Sequence, residues 1–291
     1  MNCSFVRLQF LLPHHLLGRM VYALTRSRVV WMKNWLIAAF MRAYRPSMAD
    51  ALEPEPLRYC SFNAFFTRAL RADARPLDPD PLSIVSPCDG TLSVASALQG
   101  NRLLQAKGHR YSLEALLGDD AHWTATLRGG LYATFYLAPF NYHRVHMPLS
   151  GRLCAAWHIA GRLFSVNSAT TARVPGLFAR NERIVCAFDG EHGPFIVVLV
   201  GALFVGSMTT VWHGEVTPWR GASPTHRVHR LEPSGCAAVW QARGAELGRF
   251  NMGSTVLLLL PPGLARWDDA LRPGAGVAVG QALGSLLPAA R

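Results

Sequence analysis

Apolar positions recur near helical spacing through residues 5–44. Leu8, Leu11, Leu12, Leu16, Met20 and Leu24 form a first set, with Arg7, Arg19, Arg26 and Arg28 between them. Pro13 breaks this set or starts a new turn within it. Val30, Trp31, Trp35, Leu36, Ala39, Phe40 and Tyr44 form a second set, bordered by Lys33, Arg42 and Arg45. Apolar and aromatic residues beside cations suit helices lying in the interface of an anionic membrane. A signal peptide fits less well, because the apolar character does not gather into one central run ahead of a small-residue cleavage site. A helix pair packed on the protein's own core is the third reading.

After residue 45 the pattern changes. Pro46, Pro54 and Pro56 mark a connection, a short helix is expected over Phe62–Leu70 behind Ser61, and Pro76, Pro79 and Pro81 lead into a compact region. Ser112 caps a short helix over Leu113–Leu117. Between Gly90 and Val216 the pattern is mainly strands, predicted at 131–137, 151–157, 183–188, 195–204 and 209–216. A last strand is expected from Val256 through Leu257–Leu260, closed by Pro261, Pro262 and Gly263. The predicted fold is therefore α+β: a mainly antiparallel β core with amphipathic N-terminal helices. Residues 1–45 form a membrane-interface helical region and 46–291 the main domain. No alternating helix–strand pattern suggests a doubly wound sheet.

Charge sharpens the first division. The formal net charge is +11. Residues 1–49 contain seven cations and no acid, so most of the excess belongs to the predicted helices. A nucleic-acid binder spreads its charge differently, and no nucleic acid is expected. The half-apolar composition argues against disorder. No apolar run reaches the roughly 18 residues a spanning helix needs; the longest is 195–205. The six cysteines form no Cys-x-x-Cys pair and read as reduced thiols.

Candidate chemistry centres on Glu246-Leu247-Gly248-Arg249-Phe250-Asn251-Met252-Gly253-Ser254-Thr255. One reading is a buried strand entered through a turn. The other is a self-processing serine, whose hydroxyl attacks the accessible Gly253 carbonyl and turns the amide into an ester. That hydroxyl needs a base. His143 and His146 lie in Tyr136-Leu137-Ala138-Pro139-Phe140-Asn141-Tyr142-His143-Arg144-Val145-His146-Met147-Pro148, and Asp89 in Ser86-Pro87-Cys88-Asp89-Gly90-Thr91. Asp-Gly also reads simply as a turn. Two histidines and an aspartate could bind a metal, but no His-Glu-x-x-His helix or cysteine cluster supports this, and no metal is expected. A Ser-His-Asp hydrolase would favour a Gly-x-Ser-x-Gly elbow, which is absent.

These stretches together resemble the phosphatidylserine decarboxylase family in its bacterial short-chain form. The likeness continues through Ser61-Phe62-Asn63-Ala64-Phe65-Phe66-Thr67-Arg68, Lys107-Gly108-His109-Arg110-Tyr111-Ser112-Leu113 and Phe204-Val205-Gly206-Ser207. Met252, Cys88 and His213 depart from residues common in that family. The resemblance implies catalytic roles for Asp89, His146, Ser254 and His143, with cleavage between Gly253 and Ser254. His146 would take the Ser254 proton, and Asp89 would hold the ring. His143 would position substrate, handle a proton or only support its loop. β-Elimination of the ester and loss of ammonia would leave a covalent pyruvoyl group, called pyruvate when counted as the cofactor, derived from Ser254. Phosphatidylserine would form a Schiff base there, lose carbon dioxide and leave as phosphatidylethanolamine. The implied partners are the anionic phospholipid membrane, the substrate, and the large and small chains of one proenzyme, with a homo-oligomer compatible. The implied location is peripheral, on the cytoplasmic face of the bacterial inner membrane. A lipid hydrolase and a non-enzymatic membrane-binding protein are the rival readings.

Overall fold

The computed structural model describes residues 3–203, 207–216, 228–231 and 240–288. Three helices come first: α1 (Cys3–Leu11), α2 (His14–Arg26) and α3 (Val30–Tyr44). Pro13 falls between α1 and α2, where a ring without an N–H ends one helix and tolerates the start of the next. The helix predicted over 62–70 is shorter: α4 (Phe62–Phe66), capped by the Ser61 side chain, which accepts from the Ala64 N–H.

The predicted antiparallel core is present. Its main sheet runs, neighbour to neighbour, through Val228–Arg230, Gly151–Ile159, Arg183–Gly190, Gly193–Gly201, Ser254–Leu260, Leu131–Leu137, Gly90–Ala97 and Gly276–Val277. Trp240–Gln241 also pairs with Gly151–Ile159. Every assigned pair in this sheet is antiparallel. The strand Ser254–Leu260 sits between two long neighbours and is buried along its whole length. That burial on both faces explains its unbroken apolar run after Thr255, where a half-exposed strand would alternate.

A smaller sheet orders Gly214–Val216, Met208–Thr210, Glu246–Phe250 and Arg144–His146. The stretch predicted as one strand over 209–216 is thus two, folded about Val211–His213. The segment 138–143 is irregular, as the flanking prolines suggest, but Arg144–His146 is a true strand edge. Arg144 links the layers: its Nε donates to Thr67 O at 3.0 Å and its Nη1 meets Glu246 at 2.7 Å. The basic stretch 220–234 lies outside the described residues apart from 228–231, as does Phe204-Val205-Gly206.

The N-terminal helices meet the domain through few side chains. Ile37 and Phe40 of α3 pack with Phe62, Phe65 and Phe66 of α4. In α1, Gln9 accepts from the Ser165 N–H at 2.7 Å and donates to Thr170 Oγ1 at 3.3 Å. In α2, the His14 ring accepts from the Leu163 N–H at 3.1 Å. The remaining apolar surface is open: Leu11, Leu16, Met20, Trp31 and Trp35 are all more than half exposed. Arg7, Arg19, Arg28, Arg42 and Arg45 are exposed with them. Lys33 is different, because its ammonium is turned inward and donates to Leu57 O at 2.8 Å. It anchors α3 instead of adding to the outer charge. Among the described residues no helix is long and apolar enough to cross a membrane.

Candidate active site

Ser254 opens the central strand, paired with Leu137 on one side and Gly201 on the other. Its side chain is fully buried, and its hydroxyl has no hydrogen-bond partner among the described residues. An orphaned buried hydroxyl is costly, by about 1–3 kcal/mol, and is a common mark of a functional group. Gly253, just outside the strand, has nothing within 4 Å of where a Cβ would stand, so that side of the residue is open.

Asp89 reaches the same level of the sheet from another strand. Thr91, Tyr136 and Thr255 lie in one row across three neighbouring strands. Gly90 is therefore level with Ser254 two strands away, about 10 Å at ordinary strand spacing. Gly90 is required there, since a Cβ would stand 2.6 Å from the Tyr136 carbonyl oxygen. The Asp89 carboxylate is gripped by Arg75, whose Nε and Nη2 donate to it at 2.6–3.0 Å, and by the Val279 N–H at 2.9 Å. Arg75 also bridges to Asp50 at 2.9 Å.

The two histidines are held differently. His143 is wholly enclosed and lies against Phe66, with ring centroids 4.1 Å apart. Its Nδ1 is 2.8 Å from Asn141 O. A carbonyl can only accept, so Nδ1 carries the proton and Nε2 a lone pair. That Nε2 is buried without a partner. Burial pushes the His143 pKa down to about 3, so the ring is neutral at neutral pH. In His146, Nδ1 donates to Gly244 O at 2.8 Å, and Nε2 accepts from the Tyr142 hydroxyl at 3.1 Å. Burial also lowers the His146 pKa, opposed by the Gly244 hydrogen bond and, more weakly, by the charges of Glu246 and Asp89.

Asp89 and His146 are neighbours, each within electrostatic reach of the other, while among the described residues no hydrogen bond joins either of them to Ser254. Gly244 O, not Asp89, orients the His146 ring here, because Arg75 already saturates the carboxylate. The loop before Asp89 still reaches His146 through the backbone, with the His146 N–H donating to Pro87 O at 2.7 Å. Sequence reasoning missed Arg75, Tyr142 and Gly244. Tyr142 stood inside the quoted histidine stretch. Arg75 lies in a Pro-flanked loop with no motif, and Gly244 acts through its backbone, which no side-chain pattern reports.

A cavity of about 800 Å³ lies against the opposite face of the row that follows Ser254. Thr91, Tyr136 and Thr255 contribute to its floor, and Val166, Asn167 and Phe178 to its wall. The Thr255 hydroxyl is buried and unpartnered. The wall segment adjoins the residues that α1 holds through Gln9, and Tyr136 lies within electrostatic reach of Tyr44 at the end of α3. The α1 contacts at Ser165 and Thr170 thus flank the cavity-lining residues 166–168 and 171–172 in sequence.

A buried orphan serine, one buried and one partly buried imidazole, and a cavity along the serine's strand make this the candidate reactive centre of an enzyme. The family model described as phosphatidylserine decarboxylase matches residues 62–285, and a second, described as PSD, matches 4–45. The chain belongs to the phosphatidylserine decarboxylase family. It is 51% identical over 283 residues to a phosphatidylserine decarboxylase proenzyme of Azotobacter vinelandii, covering 95% of this chain and 96% of the relative. It is 49% identical over 281 residues to the proenzyme of Methylococcus capsulatus, covering 97% and 96%. It is 48% identical over 279 residues to that of Bordetella pertussis, covering 96% and 93%.

Proposed function

We infer that this chain is a pyruvoyl-dependent carboxy-lyase precursor that decarboxylates phosphatidylserine to phosphatidylethanolamine. The observation that carries the reading is Ser254: a fully buried, unpartnered hydroxyl at the head of a central strand, directly behind an open glycine. Ser254 Oγ attacks the Gly253 carbonyl carbon, the C–N bond breaks, and the chain is held by an ester. Elimination then releases Gly253 as the carboxyl end of a large chain, 1–253, and leaves residue 254 at the head of a small chain, 254–291. Hydrolysis with loss of ammonia completes the pyruvoyl group. The residues present fit that group, since the orphaned Ser254 hydroxyl needs no other partner once consumed and Thr255 opens onto the cavity. When formed, the group supplies an electron sink for carboxylate loss.

The protein's side chains handle protons and position. His146 takes the Ser254 proton once its Nε2 is released from Tyr142. Asp89, fixed by Arg75, stabilises the resulting imidazolium through space. His143 presents a neutral Nε2 lone pair at a fully buried position, suited to holding a proton or a substrate donor. The cavity on the Thr255 face accommodates the glycerol and adjoining acyl part of the lipid, and the apolar, cationic surface of α1–α3 seats the enzyme at the interface. That surface, with no membrane-crossing helix among the described residues, supports a peripheral seat, which we propose is the cytoplasmic face of the bacterial inner membrane.

The test is incubation of mature protein with phosphatidylserine labelled in the serine carboxylate. Labelled carbon dioxide and phosphatidylethanolamine are expected without added pyridoxal phosphate or metal. Release of fatty acid or free serine would instead assign a hydrolase.

A further inference from the structure

Asn251, two residues before the bond to be cut, is tethered from several directions. It is 4% exposed. Its amide Nδ2 donates to Ser207 Oγ at 2.7 Å, to Thr209 Oγ1 at 3.1 Å and to Glu215 Oε1 at 3.3 Å. Its Oδ1 accepts from Asn63 Nδ2 at 3.2 Å, and its backbone N–H donates to Ser207 O at 3.1 Å. Two strands of the small sheet, the residue before them and α4 therefore meet at one amide. By contrast a Cβ at Gly253 would meet nothing within 4 Å, and neither Gly253 nor Ser254 is fixed by any side-chain hydrogen bond among the described residues.

The socket has an outer wall. Glu215 accepts from Ser207 Oγ and is paired with Arg26, the last residue of α2. Arg26 Nη2 also donates to Ser207 Oγ at 2.9 Å, and its guanidinium lies over the Tyr22 ring, 3.6 Å from the centroid. Tyr22 itself donates to Glu215 Oε2 at 3.2 Å. Arg26 is thus only partly available as a lipid-facing cation; its hydrogen bonds are spent on Ser207 and Glu215.

We propose that Asn251 is the positioning residue for self-cleavage, and that Arg26 of α2 sets the socket that holds it. Near-attack geometry demands that Ser254 Oγ and the Gly253 carbonyl stay aligned, and a 1 Å error in such an arrangement can cost about 100-fold in rate. The Ser254 end is fixed by its strand. Among the described residues the Gly253 end is held by Asn251, its nearest hydrogen-bonded side chain, and by Met252, which packs partly buried against both apolar clusters without fixing a direction. The helix that faces the membrane is consequently part of the processing apparatus. This rests on the self-cleavage reading above.

The experiment follows cleavage of freshly synthesised full-length chain by intact mass over time, for wild type, Asn251→Ala, Arg26→Met and the double variant. Thermal midpoints are measured on the same chains, with kcat and KM on each matured fraction. Asn251→Ala is expected to slow cleavage at least about tenfold, and Arg26→Met by a smaller factor. The double variant should be no slower than Asn251→Ala, as expected for two residues acting through one network. The matured Asn251→Ala fraction should keep the wild-type kcat, since Asn251 acts on cleavage and not on decarboxylation. Wild-type cleavage rates in Asn251→Ala overturn the proposal, as does slowing that merely tracks a lowered thermal midpoint. If Asn251→Ala fails to fold, Arg26→Met decides alone: slowed cleavage at unchanged thermal midpoint supports the proposal, and an unchanged rate overturns it. Absence of cleavage in the wild-type chain would instead reject the self-cleavage reading itself.

Discussion

Trp31 and Trp35 offer the clearest test of the proposal that α3 meets a membrane. They are 73% and 66% exposed and sit four residues apart on one helical face. A tryptophan side chain offers about 200 Å², so each presents roughly 140 Å² of mainly apolar surface to solvent. Complete withdrawal from water at about 25 cal/mol/Å² would give about 3.5 kcal/mol; lying half-immersed at the interface gives about half that. Trp31→Ala or Trp35→Ala should then weaken vesicle partitioning by roughly 10- to 30-fold, since 1.4 kcal/mol is tenfold. Flotation with neutral and anionic vesicles measures the change. Trp240 is 47% exposed on a strand of the main domain, far along the sequence from the helices, and Trp240→Ala is the control expected to leave partitioning unchanged. Equal partitioning of all three variants with wild type would refute the interface assignment of α1–α3. Added salt should reduce binding to anionic vesicles and leave the tryptophan contribution in place.

Three further outcomes are expected. His143 is about 3 in the fold against 6.5 unfolded, so between these values the unfolded chain binds the extra proton. Stability therefore falls as pH drops from about 6.5 toward 3, by up to roughly 4 kcal/mol, and His143→Gln should flatten that acid limb in denaturant titrations at stepped pH. Arg75→Met leaves the Asp89 carboxylate with the Val279 N–H as its remaining hydrogen-bond donor; breaking such a pair costs about 3 kcal/mol, read as a lower denaturant midpoint together with slower maturation. Gly90→Ala drives a Cβ into the Tyr136 carbonyl, and a loss of more than about 2 kcal/mol should appear in thermal unfolding.

The helices and the central strand were legible because their patterns are local. Pro13 marks the α1–α2 break, and Leu257–Leu260 could only be a strand buried on both faces. The Phe62 helix ended early at Phe66, where the chain turns so that Thr67 O meets Arg144. The candidate site was legible as a list of residues but not as a set of bonds. Asp89 and Ser254 stand at one end of the main sheet and the histidines on the small sheet and the segment before it, yet their hydrogen bonds run to Arg75, Asn141 O, Gly244 O and Tyr142, and Ser254 has none among the described residues. Those partners come from long-range packing and from backbone carbonyls, which carry no mark in the sequence. Lys33 shows the same limit: its charge suggested a lipid contact, and its burial against Leu57 O was set by the packing of α3.

The central claim is chemical conversion at residue 254, and intact-mass analysis of the purified, active protein tests it most directly. The account predicts two chains, 1–253 and 254–291, with the smaller lacking a free amino terminus and carrying a pyruvoyl group in place of Ser254, and a single uncut chain for Ser254→Ala. Fully active protein that remains one chain of 291 residues with an ordinary serine at position 254 would contradict it.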